Sequence, residues 1–234
     1  MIKEIIFNGE VGRLEGKYHE SEKRSAPAVL ILHPHPLHGG TMNNKVVYHT
    51  FHTFVKNNFS VLRFNSRGVG KSLGNFDQGQ GELVDAASAM DWLQSNNPEA
   101  SGYWIVGFSF GAWISMQLLM RRPEIDEFVA IAPPVSSYDF NFLSPCPTPG
   151  LILQGMEDSF SKEKDSYTLY EKLSRQKNNQ VTYLTIDGAD HFFTNKIDEM
   201  SVALHSYINP RAQKSSNPKK SRRDRKRKNI DYIV

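Results

Sequence analysis

The sequence predicts an α/β fold: a mostly parallel central sheet of about eight strands with helices on both faces. Three observations predict it. From Ala28 onward, short apolar runs alternate with longer helical patterns, the order that parallel strands joined by helical crossovers require. The first two strand candidates follow one another with no helix between them, so they form a hairpin at one edge. The chemically distinctive segments lie just after strands, where such sheets bind their ligands. The hairpin pairs Lys3–Phe7 with Gly12–Tyr18. The remaining strands are Ala28–His33, Ser60–Asn65, Tyr103–Phe108, Glu127–Ile131, Gly150–Gln154 and Val181–Ile186, each a short run dominated by aliphatic and aromatic residues. Between or after them the helical patterns fall at Asn44–Lys56, Glu82–Ser95, Phe110–Met120, Lys162–Gln176 and Lys196–Tyr207.

At 234 residues the chain is long enough for one domain with a substantial core. Its 39% hydrophobic and 23% charged content is that of a globular protein rather than a fibrous or disordered one. The single cysteine, Cys146, excludes an internal disulfide framework, fits a reducing compartment and reads as a packed bystander. The first residues, MIKEIIFNGEVGR, carry charges inside any apolar stretch and do not read as a signal peptide. No apolar run approaches the roughly 20 residues of a membrane span. A cytoplasmic location is the expectation. The net charge of +3 is unevenly spread: from Pro210 onward, ten Lys and Arg face only Asp224 and Asp231, a net +8, which leaves −5 for the first 209 residues. The chain therefore divides into a domain over 1–209 and a basic tail over 210–234. Arg211–Asn229 has no aliphatic residue except Ala212 and is expected to be disordered. Residues 211–228 could make weak, nonspecific contact with nucleic acid or another anionic surface. No aromatics are interleaved for base stacking.

The stretch NSRGVGKSLG (65–74) ends like a phosphate-binding loop. The loop pattern needs a glycine where this chain has Asn65, and the glycines at 68, 70, 74, 79 and 81 postpone the next helix. A nucleotide reading fails on both counts. Gly107-Phe-Ser109-Phe-Gly111, in contrast, joins the strand YWIVGF to the helix AWISMQLLM. G-x-S-x-G at a strand-to-helix turn is a nucleophile elbow, with Ser109 exposed at its apex and the Phe110 N–H aimed at a developing oxyanion. A serine needs a base, and the base an orienting acid. The strand GLILQ leads to Glu157-Asp158, and the strand VTYLTI leads to Asp190-His191. Serine, carboxylate and histidine thus follow three strands in the chain order such elbows use. Asp158 is preferred over Glu157 because its shorter arm holds an imidazole more rigidly; spacing alone leaves Glu157 open. Asp190 is too near His191 in sequence to orient it and suits a turn. After the strand AVLIL come His33, His35 and His38. The interleaved prolines keep that segment extended and no cysteine or carboxylate accompanies it, so it is read as an oxyanion loop rather than a metal site, with no metal or other cofactor expected. Pro34 and Pro36 have no N–H, which leaves His35, Leu37 or a later residue as the second donor. His35 is the choice made here, and His33 is expected to brace the loop.

Taken together, HPHPLHGGTMNNKVV, RFNSRGVGKSLGNFDQGQGE, GFSFGAW, APPVSSYDFNFLSPCPTPGLILQG and GADHFF resemble the small bacterial α/β-hydrolases, over about residues 1–208. The resemblance implies the α/β-hydrolase fold, a triad of Ser109, Asp158 and His191, and an esterase-like activity on small-molecule esters or thioesters. It also makes RGVGKS the turn that follows the fourth strand, with Arg67 a buried structural donor. Ala132–Thr148 leaves room for a loop but not for a helical lid. An open site is expected, rimmed by Tyr138, Phe140, Phe142, Leu37 and Met42 unless these belong to the core. Such a site suits short or exposed acyl groups. A peptidase with the same triad, or a binding protein working through its basic tail, are the alternatives. The sequence leaves the oligomeric state open.

Overall fold

The computed structural model describes residues 1–176 and 180–215. Strands β1 (Ile2–Gly9) and β2 (Gly12–His19) form the antiparallel hairpin. Beside it, β4 (Ser60–Phe64) pairs antiparallel to β2. From there β3 (Ala28–Leu32), β5 (Tyr103–Phe108), β6 (Ile125–Ile131), β7 (Gly150–Gly155) and β8 (Val181–Ile186) continue the sheet in parallel. The order is β1-β2-β4-β3-β5-β6-β7-β8. β3, β4 and β7 are buried at every residue, as strands sandwiched between helix layers must be.

Side-chain alternation along the strands makes two separate cores. Val29, Ile31, Val61, Val106 and Leu151 point to the layer of α1 (Lys45–Lys56) and α5 (Ile197–Ser215). Leu30, Leu62, Ile105 and Ile152 point to the opposite layer of α2 (Gln80–Asn96), α3 (Phe110–Leu119) and α4 (Glu163–Ser174). Helix α1 starts at a polar cap, the Asn44 Oδ1 accepting from the Val46 N–H at 2.9 Å. Among the described residues, Ala132–Thr148 has turns and no helix, and no helix is long and apolar enough to cross a membrane.

Helix α5 departs from expectation by running beyond Tyr207 and through Pro210 to Ser215, so it crosses the expected boundary at 209/210. Proline removes one helical hydrogen bond. The contacts around it keep the helix going: the Arg211 guanidinium stacks on the Tyr207 ring at 3.8 Å, and both side chains converge on Glu127. Residues 216–234, which hold most of the predicted tail, lie outside the described residues.

Candidate active site

The glycine loop after β4 holds no helix start; α2 begins only at Gln80. Arg67 is 5% exposed. It forms a two-pronged pair with the fully buried Asp85, Nε to Oδ2 at 3.0 Å and Nη2 to Oδ1 at 2.8 Å, while its own N–H donates to the same carboxylate. This arginine is a fastener between the loop and α2 and has no free face for a phosphate.

Ser109 sits between β5 and α3 at φ 53°, ψ −122°. A non-glycine residue there costs on the order of 1–3 kcal/mol of backbone strain. The turn is so tight that a side chain at Gly107 would strike the Gly111 carbonyl, and one at Gly111 would strike the His33 carbonyl. The Ser109 N–H is tied to the Ile131 carbonyl at 2.9 Å, which leaves the hydroxyl half-exposed at the carboxyl edge of the sheet.

The loops after β7 and β8 press together: Gly155 leaves no room for a Cβ beside the Ala189 carbonyl, and the Glu157 N–H donates to that carbonyl at 2.9 Å. This closeness brings the acid to the histidine. His191 Nδ1 lies 2.7 Å from Asp158 Oδ2, and His191 Nε2 lies 2.9 Å from Ser109 Oγ. Asp158 is buried and Glu157 exposed. Asp158 Oδ1 accepts the N–H groups of Phe160 and Ser161 at 2.8 and 2.7 Å, and Oδ2 also accepts Gln154 Nε2 at 3.0 Å. Asp190 caps its own turn, accepting the N–H groups of Phe192 and Thr194.

His33 is buried with both ring nitrogens engaged, Nδ1 with the Pro34 carbonyl at 2.7 Å and Nε2 with the Ser66 N–H at 3.1 Å. Burial pushes its pKa down to about 4, so the ring is neutral. Burial, and then the neighbouring His38, also lower His35. The His35 and His38 rings stack at 4.4 Å, and His35 Nδ1 accepts the Leu37 N–H. Among the described residues, the backbone N–H groups of His35 and Phe110 have no hydrogen-bond acceptor. Both residues line the cleft that contains Ser109 and His191.

That cleft encloses about 580 Å³. Of the expected rim only Tyr138 lines it; Phe140 and Met42 are buried in the interior, and Leu37 and Phe142 lie outside it. Phe160 and Phe192 line it instead, 67% and 44% exposed. Phe160 stands two residues after Asp158 and Phe192 directly after His191, and that closeness is the sequence signal that points to them. No Asp, Glu, Lys or Arg lines the cleft among the described residues.

An eight-stranded, mostly parallel sheet with this hairpin edge and this strand-to-helix turn at Ser109 is the fold of a small α/β hydrolase. The chain belongs to the family described as X-Pro dipeptidyl-peptidase (S15 family), which matches residues 20–144. It is 54% identical over 209 residues to an uncharacterized protein of Rickettsia prowazekii, covering 88% of each chain. A protein of unknown function from Agrobacterium tumefaciens, described as an α/β hydrolase, has a solved structure that is 54% identical; the match covers 90% of this chain and 97% of that one, at a TM-score of 0.87. A Xanthomonas campestris protein described as an α/β serine hydrolase without a lid is 29% identical, covering 89% and 94%, at a TM-score of 0.79.

Proposed function

We propose that the protein is a serine hydrolase working by acyl transfer through Ser109, His191 and Asp158, on uncharged carboxylic esters or thioesters with short or exposed acyl groups. One observation carries this reading: the continuous hydrogen-bond chain from Ser109 Oγ through His191 to Asp158 Oδ2, opening onto a cleft flanked by two unused N–H groups. With its Nδ1 proton donated to Asp158, His191 keeps Nε2 free to take the Ser109 proton. Ser109 Oγ then bonds to the carbonyl carbon, and the electron pair moves to the carbonyl oxygen, opposite the N–H groups of Phe110 and His35. The carbonyl reforms as the C–O or C–S bond to the leaving group breaks, and His191 returns the proton to that group. Water repeats the sequence on the acyl-enzyme. The lidless Xanthomonas relative and the absence of a helix in Ala132–Thr148 both favour substrates that enter from the open side.

The family description favours a second reading, a dipeptidyl peptidase. Such an enzyme must hold a substrate ammonium, and no carboxylate lines the cleft among the described residues to do so. Turnover of an acetyl or butyryl ester, its thioester and an X-Pro dipeptide amide separates the two. Hydrolysis of the ester or thioester, with the amide slower by at least about 100-fold, an energy gap of about 3 kcal/mol, is the expected result. Turnover of the amide alone would replace the esterase reading with the peptidase one.

A further inference from the structure

The peptide joining Pro34 to His35 carries the N–H assigned above as second oxyanion donor, and it is held from two sides by the end of β4 and the residues just after it. On one side the His33 ring bridges the Pro34 carbonyl and the Ser66 N–H, and the Ser66 hydroxyl lies 3.0 Å from His33 Nε2. Because the Ser66 N–H must find an acceptor in Nε2, the ring proton sits on Nδ1 and is donated to the Pro34 carbonyl. On the other side lies Gly40. Its N–H donates to the His35 carbonyl at 3.0 Å, and it packs so closely on the Pro34 carbonyl that any side chain would collide.

Two residues further on, Met42 is clamped at both ends of its backbone. Its N–H donates to Asn65 Oδ1 at 2.7 Å, and its carbonyl accepts Arg63 Nη1 at 2.6 Å. Asn65 is itself fixed, its Nδ2 donating to Glu15 Oε1 at 2.8 Å. Glu15 Oε1 also accepts the Lys71 N–H, and a side chain at Gly70 would fall on that carboxylate. The second glycine of GVGKS therefore makes space for Glu15, which answers why a phosphate-loop look-alike stands here.

Arg63 is an unusual residue to find in a core. It is 3% exposed, its Nε has no partner, and among the described residues no carboxylate lies within ion-pair distance. The Tyr48 and Phe51 rings, 5.2 and 4.9 Å away, take up part of the charge. An aliphatic side chain, as at Val61 on the same face of the same strand, would fill such a place without the desolvation cost of a cation.

We propose that Arg63 and Asn65 are positioning residues for the oxyanion hole: by clamping Met42 they fix, through Gly40, the direction of the His35 N–H. Neither touches the reacting atoms. The proposal rests on the acyl-transfer reading.

The test compares wild type with Asn65→Ala and Arg63→Met in three measurements: kcat and KM on a short acyl ester, Ki for a trifluoromethyl ketone, and hydrogen exchange over residues 35–42. Misaiming one donor by about 1 Å lowers kcat by about 100-fold, with KM nearly constant because the donor acts in the transition state. The expected result is that loss, a Ki that weakens by the same factor as kcat/KM, and faster exchange in the loop. Arg63→Lys keeps the charge but loses the planar fork, and it carries the test should Asn65→Ala not fold, with a smaller loss of the same pattern. Folded variants that keep wild-type kcat and Ki, or that raise KM alone, overturn the positioning role. A wild type that does not bind the ketone at Ser109 overturns the acyl-transfer reading instead, and this proposal falls with it.

Discussion

Replacing Asp158 by asparagine tests the orientation of His191 atom by atom. Four donors converge on the Asp158 carboxylate: the N–H groups of Phe160 and Ser161 on Oδ1, and Gln154 Nε2 and His191 Nδ1 on Oδ2. An asparagine has one acceptor oxygen to offer. If that oxygen faces Phe160 and Ser161, its NH2 faces His191, which must then present Nδ1 as an acceptor. The proton moves to Nε2, and the ring no longer accepts from Ser109. If the oxygen faces His191, the buried Ser161 N–H and the part-buried Phe160 N–H lose their acceptor, whereas Gln154 Nε2, which also donates to the Gly155 and Ser161 carbonyls, is satisfied in either orientation. The productive orientation is thus worse by one buried donor, about 1–3 kcal/mol. It also lacks the negative charge beside the imidazolium that forms in the transition state, a further loss of about 1.5–3 kcal/mol. Together these correspond to a fall in kcat/KM of about 10²- to 10⁴-fold. The assay is ester hydrolysis by Asp158→Asn, with thermal unfolding as a check on the fold. Glu157→Gln, altering an exposed side chain, should stay within about twofold of wild type. A folded Asp158→Asn variant that loses less than tenfold would refute the reasoning, the more so if Glu157→Gln lost activity.

Two further predictions concern the frame. Asp85→Ala leaves the Arg67 guanidinium buried without its main partner and should cost about 3–5 kcal/mol, lowering Tm by roughly 6–20 °C; a calorimetric change below about 1 kcal/mol would contradict a fastening role. His33 has a folded pKa of about 4, below its ordinary value near 6.5. The unfolded state therefore binds the extra proton first, and this contribution, complete above pH 6.5, is lost as pH falls towards 4. Urea titrations at pH 6.5 and 5 should differ by about 1.5 kcal/mol from this residue, a difference that His33→Gln should remove; an unchanged slope in that variant would show that His33 is not the source.

The sheet and the nucleophile elbow were legible because both are written in local constraints. Gly107 and Gly111 are demanded by backbone contact at the turn, and the apolar runs of the central strands, β3, β4 and β7, answer to burial on two faces. The order of serine, acid and histidine was equally readable, since each follows its own strand. What separates Asp158 from Glu157 is not local: it is the approach of the loop after β8, which sets His191 Nδ1 2.7 Å from Asp158 Oδ2, 33 residues away in sequence, and leaves Glu157 exposed. The same is true of α5, where Arg211 on Tyr207 and Glu127 carries a helix across a proline that by itself signals a stop. The rim was legible only in part, with Tyr138 on it and membership of the core left open for the others, because apolar character does not tell inward from cleft-facing. Phe140 and Met42 went to the interior, while Phe160 and Phe192, each close behind a polar site residue, took the exposed places beside His191.

The most direct measurement is fluorophosphonate labelling read by intact mass, with wild type beside Ser109→Ala. Attack on phosphorus requires a serine activated by its histidine, whatever the natural substrate. A single adduct on wild type and none on Ser109→Ala is the predicted result. A folded wild type that remains unlabelled, or a Ser109→Ala variant that labels as wild type does, would contradict the assignment of Ser109 as the nucleophile.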